Sequence, residues 1–471
     1  MKVILADAHG PVRGKAQSSP NLGLLYLASY LRSRVENVEL RYVPQNWELA
    51  DHIELIETLQ PDLYAMSFTS YGAQVAYHSI RKLKERFPRL PIVCGGPHPS
   101  AAARDVLAKT PADLCVLGEG EETFAEIVRQ GDSLMDALDD IQGIAYIDAN
   151  GHYRQTLPRP LIDDLDTIPF PSRDLINERD YTGNDLRRGT PDTEMIITRG
   201  CPLRCVFCAN PVFRVKGPLY RTRSPESIAH EIDLLYQMGY RELYLHSDEL
   251  NVRLDWSIEV CKAIAALGHD DLYLQANLRV VPMNAELALW LRKANFWMVR
   301  YGIESASERV LKGIKKSMSM EKTERALHLM HEQGIKTYGF FMMFQIWEDE
   351  DGNLDYETVD EVNQSVRYIR ELWRKDLLHY MAWSVAVPVQ GAEMYSIAVR
   401  HGIIDEHYYP DEKWLVYDRL PHVSKKAYAS IIRKGRLLQG AMALRNGSIN
   451  WRNWSGLKVK AKDLIFGEQT Q

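Results

Sequence analysis

The chain has 471 residues, 45% of them hydrophobic and 25% charged, proportions that suit a globular protein of two or three domains and exclude a fibrous, disordered or membrane-embedded class. Lys and Arg number 57 against 63 Asp and Glu, a formal charge of -6, so no global field draws the surface to anionic lipid or nucleic acid, and neither is an expected partner. Six cysteines are too few and too uneven for a disulfide scaffold, Asp7 comes too early for a signal-peptide core, and no apolar run approaches ~18 residues; a cytoplasmic location is expected.

Strand-like apolar runs fall at 2–6, 38–43, 63–67, 91–94 and 114–117, with helix-spaced stretches between them. Leu24, Leu27, Ala28 and Leu31 share one helical face, and Val75, Ile80 and Leu83 suggest another. This order predicts an α/β fold that opens with a doubly wound, Rossmann-like parallel sheet. Ligands on such sheets lie beyond the carboxyl ends of the strands. There the sequence places Ser67-Phe68-Thr69-Ser70, Gly95-Gly96-Pro97-His98 and Gly118-Glu119-Gly120-Glu121, although a glycine in any one of these loops can equally serve only to turn the chain. No GxGxxG follows the first strand, which disfavours a nicotinamide or flavin dinucleotide.

Asn150-Gly151 turns a hairpin between 144–147 and 153–156, and Pro158, Pro160, Pro169 and Pro171 among Asp163, Asp164 and Asp166 mark a linker. The expected organisation is a first domain over 1–140, hairpin and linker over 141–190, a second α/β domain over 191–400 and a small helical cap over 401–471. Six strands near 195–198, 242–246, 272–276, 298–302, 337–343 and 381–387 alternate with helices as in a partial (β/α)6 barrel of the TIM type. Ser224 as cap, Pro225 in the first turn, inward-facing Ile228, Ile232 and Leu235, and terminating Gly239 mark the first barrel helix.

Cys201, Cys205 and Cys208 form a C-x3-C-x2-C run on the loop after the first barrel strand. Chance places such a run in roughly one chain in a thousand of this composition, so the pattern points to metal or cluster binding. Structural zinc wants a fourth ligand and usually a second knuckle, whereas Cys94, Cys115 and Cys261 are isolated and read as buried small hydrophobes. Three thiolates on a four-iron cubane leave one iron open to a substrate or cofactor.

With Phe207 just before the third cysteine, the run resembles the hallmark of the radical S-adenosylmethionine (SAM) superfamily. Arg221 to Glu226, Leu245 to Glu249, Asn277 to Arg279 and Gly302 to Ser305 match successive family segments in order. The resemblance implies a [4Fe-4S] cluster on Cys201, Cys205 and Cys208, SAM chelated by the open iron, reductive cleavage to a 5'-deoxyadenosyl radical and hydrogen abstraction from an unactivated carbon. It implies Phe207, Arg279, Glu304, Ser305 and Pro388 around SAM, with Val387 beside the adenine, and Asp248 and Glu249 in catalytic positions facing SAM or substrate. From the residues alone, Arg279 with Glu304 reads equally as an ion pair and Asp248 as a strand-end cap. An electron donor such as flavodoxin or ferredoxin is the implied protein partner.

The N-terminal sheet is similar to the cobalamin (B12)-binding domain of one branch of that superfamily, and the joint resemblance spans about residues 1–400. It implies cobalamin, if bound, against Ser67, Thr69, Gly95, Gly96, His98, Gly118 and Glu119, with Asn21-Leu22-Gly23 at another loop position of the family. The D-x-H-x-x-G signature of His-ligated cobalamin proteins is broken, since Asp7-Ala8-His9 is followed by Val12 where Gly is required. Cobalamin without a protein histidine and a vestigial domain are both compatible with that departure.

Beyond residue 400 the chain turns basic, with Lys425, Lys426, Arg433, Lys434, Arg436, Arg445, Arg452, Lys458, Lys460 and Lys462 and with Trp451 and Trp454. A solvated face explains most such runs, and closing the barrel mouth or docking a reductant is the expected role. Glu348-Asp349-Glu350-Asp351 replaces the family's neutral Gly-Leu-Pro-Gly-Glu-Thr-like segment. A solvated loop is one reading. The other is a barrel mouth that gathers a cationic small-molecule substrate such as an aminosugar, in which respect the chain is similar to the radical SAM diol dehydratases of apramycin (aminoglycoside antibiotic) biosynthesis. The expected reaction is accordingly dehydration by a lyase, with cobalamin-dependent C-methyl transfer as the alternative and a non-catalytic cobalamin or cluster sensor as the reading from another class.

Overall fold

The computed structural model describes residues 1–8, 19–177, 181–184, 186–213, 217–408, 420 and 423–447. The broken D-x-H signature from His9 onward and the basic, Trp-bearing segment over 451–462 lie outside them.

The first half alternates β1 (Lys2–Asp7), α1 (Leu22–Arg34), β2 (Glu39–Val43), α2 (Leu49–Leu59), β3 (Leu63–Ser67), α3 (Ala73–Arg86), β4 (Ile92–Gly95), α4 (Pro97–Lys109), β5 (Leu114–Val116) and α5 (Glu121–Gln130). The hairpin β6 (Ile144–Ile147) and β7 (Tyr153–Gln155) follows. These strands make a seven-stranded sheet in the order β2-β1-β3-β4-β5-β6-β7, parallel through β5 and antiparallel over the hairpin. The expected hairpin thus extends the first sheet, because β6 pairs directly with β5, and does not stand apart with the linker. Two apolar layers flank the sheet, one built on α1 and α5, the other on α3 and α4.

Local chemistry explains the elements. Asn21 caps α1 by accepting the Leu24 amide at 3.2 Å, and Leu24, Leu25, Ala28 and Leu31 are buried behind it. On α3 the buried face is Ala73, Ala76, Tyr77, Ile80 and Leu83, while Val75 is exposed. Five residues of helix leave Val75 well off the Ile80 direction. Cys94 and Cys115, isolated in sequence, are register partners on β4 and β5.

The second half runs β8 (Asp192–Ile196), β9 (Thr198–Arg199), β10 (Arg221–Thr222), α6 (Pro225–Gln237), β11 (Glu242–His246), α7 (Leu254–Ala265), β12 (Tyr273–Leu278), α8 (Ala285–Lys293), β13 (Phe296–Glu304), α9 (Glu308–Gly313) and α10 (Met320–Glu332). It ends with β14 (Lys336–Met343), β15 (Ile346–Glu348), β16 (Leu354–Tyr356), α11 (Val359–Arg374), β17 (Tyr380–Val385), α12 (Glu393–Arg400) and α13 (Lys425–Arg445). The six parallel strands β8, β11, β12, β13, β14 and β17 lie in chain order across one sheet, the partial barrel that the periodicity predicts. Ser224 caps α6 through the Ser227 amide at 3.1 Å. Helix α13 is more than a cap on the mouth, since Leu438 and Met442 enter the barrel's own core. Its Gly435 is required there, because a Cβ would stand 2.0 Å from the Trp383 ring on β17. No helix among the described residues is long and apolar enough to cross a membrane.

Candidate functional site

The carboxyl ends of both sheets face one cavity of about 760 Å3. From the first sheet it receives Asn21 and Gly23 at the start of α1, Ser67 after β3, Gly95 and Gly96 after β4, and Gly118 to Glu121 after β5. From the barrel it receives Arg199, Gly200, Cys208, Asn210, His246, Ser247, Asp248 and Asn277. Gly118 adopts φ +75°, and a Cβ there would meet nothing within 4 Å, so its backbone lies open to the cavity. Gly96, at φ +91°, has no such freedom: a Cβ would come 2.6 Å from Ser67 Oγ, which locks the loops after β3 and β4 together.

The cysteine loop runs between β9 and β10, which pair antiparallel and close its base. Gly200 turns into it with φ +84°, where a Cβ would collide with Leu219 O at 2.4 Å. Two backbone bonds anchor its middle, Val206 N to Ile314 O at 3.0 Å and Met394 N to Val206 O at 2.8 Å. All three cysteines are half-buried. Burial raises each thiol, that of Cys208 to about 11, so metal binding here must displace protons. Among the described residues no three His, Cys, Asp or Glu side chains converge tightly enough for a single metal ion. A cluster in which each iron takes one thiolate has no need of such convergence.

Beyond the cysteines, Asp248 is exposed to the cavity. Burial within the molecule raises its carboxyl, with hydrogen bonds from Asn210 and the Gly200 amide in opposition. Burial pushes Glu249 up to about 7 against the pull of Lys316 and Arg279. Glu304, at φ +64°, pairs with Lys316 Nζ at 3.1 Å, and Gly302 leaves room for that pair. The alternative ion pair between Arg279 and Glu304 does not form: Arg279 Nε donates to Val281 O at 2.8 Å. Lys316 also lies 5.9 Å from the Phe207 ring centroid. Pro388 is buried just past β17 at the barrel mouth. Ser305 departs from its expected place, because its hydroxyl donates to the buried Glu357 at 2.8 Å and the residue has no exposed surface.

On the other side of the cavity, Ser67, Gly95, Gly96, Gly118 and Glu119 line it, while Thr69 and His98 do not. His98 is fully buried, with Nδ1 on Ser70 Oγ at 2.9 Å and Nε2 on the Tyr77 hydroxyl at 2.9 Å. Burial lowers it to about 4, and both nitrogens face the core instead of a ligand. Glu119 is held by the barrel: Arg221 donates to its two oxygens at 2.9 and 2.7 Å, and Arg199 bridges Glu119 at 3.3 Å and Glu121 at 2.5 Å. Sequence reasoning missed Arg199 as part of this clasp, and only its position beside Gly200 and Cys201 hinted at a role.

The acidic run does not join Asp248 and Glu249. It forms the β15–β16 turn, where Glu348 pairs with Arg400 at 2.8 Å and His401 at 3.0 Å and Asp349 accepts the Asn353 amide at 2.8 Å. None of the four acids lines the cavity. The solvated-loop reading is therefore the right one, since antiparallel pairing turns the segment outward.

Residues 195–359 match the Radical SAM superfamily model and residues 15–128 the B12 binding domain model. This chain is a radical SAM protein with an N-terminal B12-binding domain. The radical SAM protein is 27% identical over 424 residues to an uncharacterized methyltransferase of Pyrococcus horikoshii, spanning 88% of this chain and 87% of that one. It is 28% identical over 385 residues to the anaerobic magnesium-protoporphyrin IX monomethyl ester cyclase of Cereibacter sphaeroides, covering 79% of this chain but only 59% of the cyclase. Its fold superposes on the radical SAM methyltransferase TsrM of Kitasatospora setae with TM-score 0.65 at 17% identity, over 87% of this chain and 76% of TsrM. It also superposes on the cobalamin-dependent SAM radical enzyme OxsB with TM-score 0.66 at 20% identity, over 85% of this chain and 55% of OxsB. The radical SAM domain implies a [4Fe-4S] cluster and SAM, and the B12-binding domain supports cobalamin.

Proposed function

We propose that this radical SAM enzyme is a cobalamin-dependent methyltransferase, with Cys201, Cys205 and Cys208 as the cluster ligands. The carrying observation is the single cavity that touches Gly118 and Ser67 of the B12-binding domain on one wall and Cys208 and Asp248 of the barrel on the other. A methyl carrier and a radical source need that shared space. Relatives named as methyltransferases and cyclases favour this reading over dehydration, and the acidic turn that suggested an aminosugar lies off the cavity.

The chemistry supplied at this site by the bound groups is reductive cleavage of SAM and carriage of a methyl group. The chain's own residues bind and orient. Glu304, fixed by Lys316, and Arg279, fixed by Val281 O, offer opposite charges to the ammonium and carboxylate ends of SAM respectively, and Phe207 and Pro388 cover its apolar parts. Asp248 and Glu249 face SAM or substrate, and Glu249, raised toward neutrality by burial, holds or releases a proton there. Gly118 keeps the loop after β5 free of a side chain where cobalamin approaches, and Gly96 lets the loops after β3 and β4 close against each other beside it.

The test uses anaerobically reconstituted protein with SAM, hydroxocobalamin and a reductant. Methylcobalamin and 5'-deoxyadenosine should both form, and Cys201→Ala, Cys205→Ala or Cys208→Ala should each lower bound iron and abolish 5'-deoxyadenosine. Full 5'-deoxyadenosine yield in protein that neither binds cobalamin nor forms methylcobalamin would sink the methyltransferase assignment.

A further inference from the structure

The barrel lumen holds a cation without an anion. On β13, Val299 and Tyr301 are fully buried in the outer core, so strand alternation turns Arg300 to the opposite, inner face. Its register partners are Asn277 on β12 and Tyr338 on β14, and Asn277 lines the cavity. The Arg300 guanidinium carbon stands 4.5 Å from the Tyr244 ring centroid and 5.3 Å from that of Tyr338. Two aromatic faces thus hold the group flat and leave its edge for hydrogen bonds.

That edge is underused. Arg300 makes one hydrogen bond, to Gln275 Oε1 at 2.7 Å, and its buried Nε has no partner. Among the described residues no carboxylate lies within the 4.0 Å of an ion pair. The lumen carboxylates are committed elsewhere: Glu194 to His246 at 2.8 Å, and Glu242 to Trp297 at 2.9 Å and to Gln275. Beside Arg300, Asn277 accepts the Tyr244 hydroxyl at 2.6 Å through Oδ1, which leaves its amide Nδ2 as a second free donor. A half-buried guanidinium with a buried, unpartnered Nε and no counter-charge is unfavourable unless a ligand completes it.

We propose that Arg300, with Asn277, is a substrate-anchoring subsite for an oxyanion, a carboxylate or phosphate of the substrate, held in the barrel lumen. The inference rests on the radical SAM reading only in taking the lumen as the place of the substrate. It gives the substrate an anionic group where the acidic turn had suggested a cationic one.

Isothermal titration of the anaerobic, cluster-loaded protein with benzoate and with inorganic phosphate tests it. The unmodified protein should bind at least one of the two saturably. Arg300→Gln should weaken that binding roughly tenfold or more, as loss of a charge-assisted contact implies, and Arg300→Lys less. Asn277→Ala, a second variant that leaves the stacked cation in place, should weaken it roughly threefold. Iron content and SAM affinity should stay unchanged throughout. Binding of neither anion, equal binding by Arg300→Gln, or a parallel fall in SAM affinity, which would make the oxyanion SAM's own carboxylate, would each overturn the proposal. Anion binding that persists in a protein showing no methyl transfer supports the subsite and counts against the reaction alone.

Discussion

Arg221 holds both carboxylate oxygens of Glu119, at 2.7 and 2.9 Å, and so ties the strand that closes the cysteine loop to the loop after β5 of the B12-binding domain. Arg199, at the other end of the same loop, reaches Glu119 and Glu121. Burial opposes ionisation of Glu119, yet the two arginines hold its carboxyl below the usual range.

Glu119→Gln should therefore destabilise the protein, because it leaves the Arg221 side chain, 5% exposed, without its bidentate partner. A loss of about 3 kcal/mol is the scale for breaking a buried pair. Denaturant unfolding of the two proteins checks it, and a change below 0.5 kcal/mol, the scale of an ordinary surface substitution, would show that the clasp contributes nothing to folding.

The acidic turn should be dispensable for catalysis. Changing Glu348, Asp349, Glu350 and Asp351 to amides breaks the exposed pairs of Glu348 with Arg400 and His401 and of Glu350 with Lys312, each set worth about 0–1 kcal/mol, and should leave the rate of SAM cleavage within about twofold, a barrier change of less than half a kcal/mol. A large loss of turnover would return these residues to the catalytic mouth.

His98 should make the protein sensitive to acid. Its folded-state value, about 4, lies below the ordinary 6.5 because burial disfavours the charged ring, so the unfolded chain binds the extra proton first. Its contribution is complete above about pH 6.5 and is lost as pH falls toward 4, up to about 3 kcal/mol in all. His98→Gln should flatten that part of the stability curve in urea titrations at stepped pH. An unchanged slope between pH 6.5 and 4 would place the proton elsewhere.

The order of strands and helices, the Ser224 cap, the barrel and the Cys201, Cys205, Cys208 run were legible in the sequence because each depends on neighbours within about a turn of helix or a few residues of strand. Side-chain partnership was not. His98 and Glu119 each follow a glycine just past a strand end, in segments that look alike as sequence, but Tyr77 and Ser70 draw the first, in the opening turn of α4, into the core while Arg221, 102 residues further on, draws the second across to the barrel. Ser305 follows the same rule, its hydroxyl claimed by Glu357, and so does Glu348, claimed by Arg400. Arg300 is one more charge on a strand until Tyr244, Gln275 and Tyr338 converge on it from three other strands. Periodicity sets which face a residue occupies. Only the packed chain decides which distant group meets it there, because hydrogen bonds and ion pairs act over a few ångströms of space and take no account of separation along the sequence.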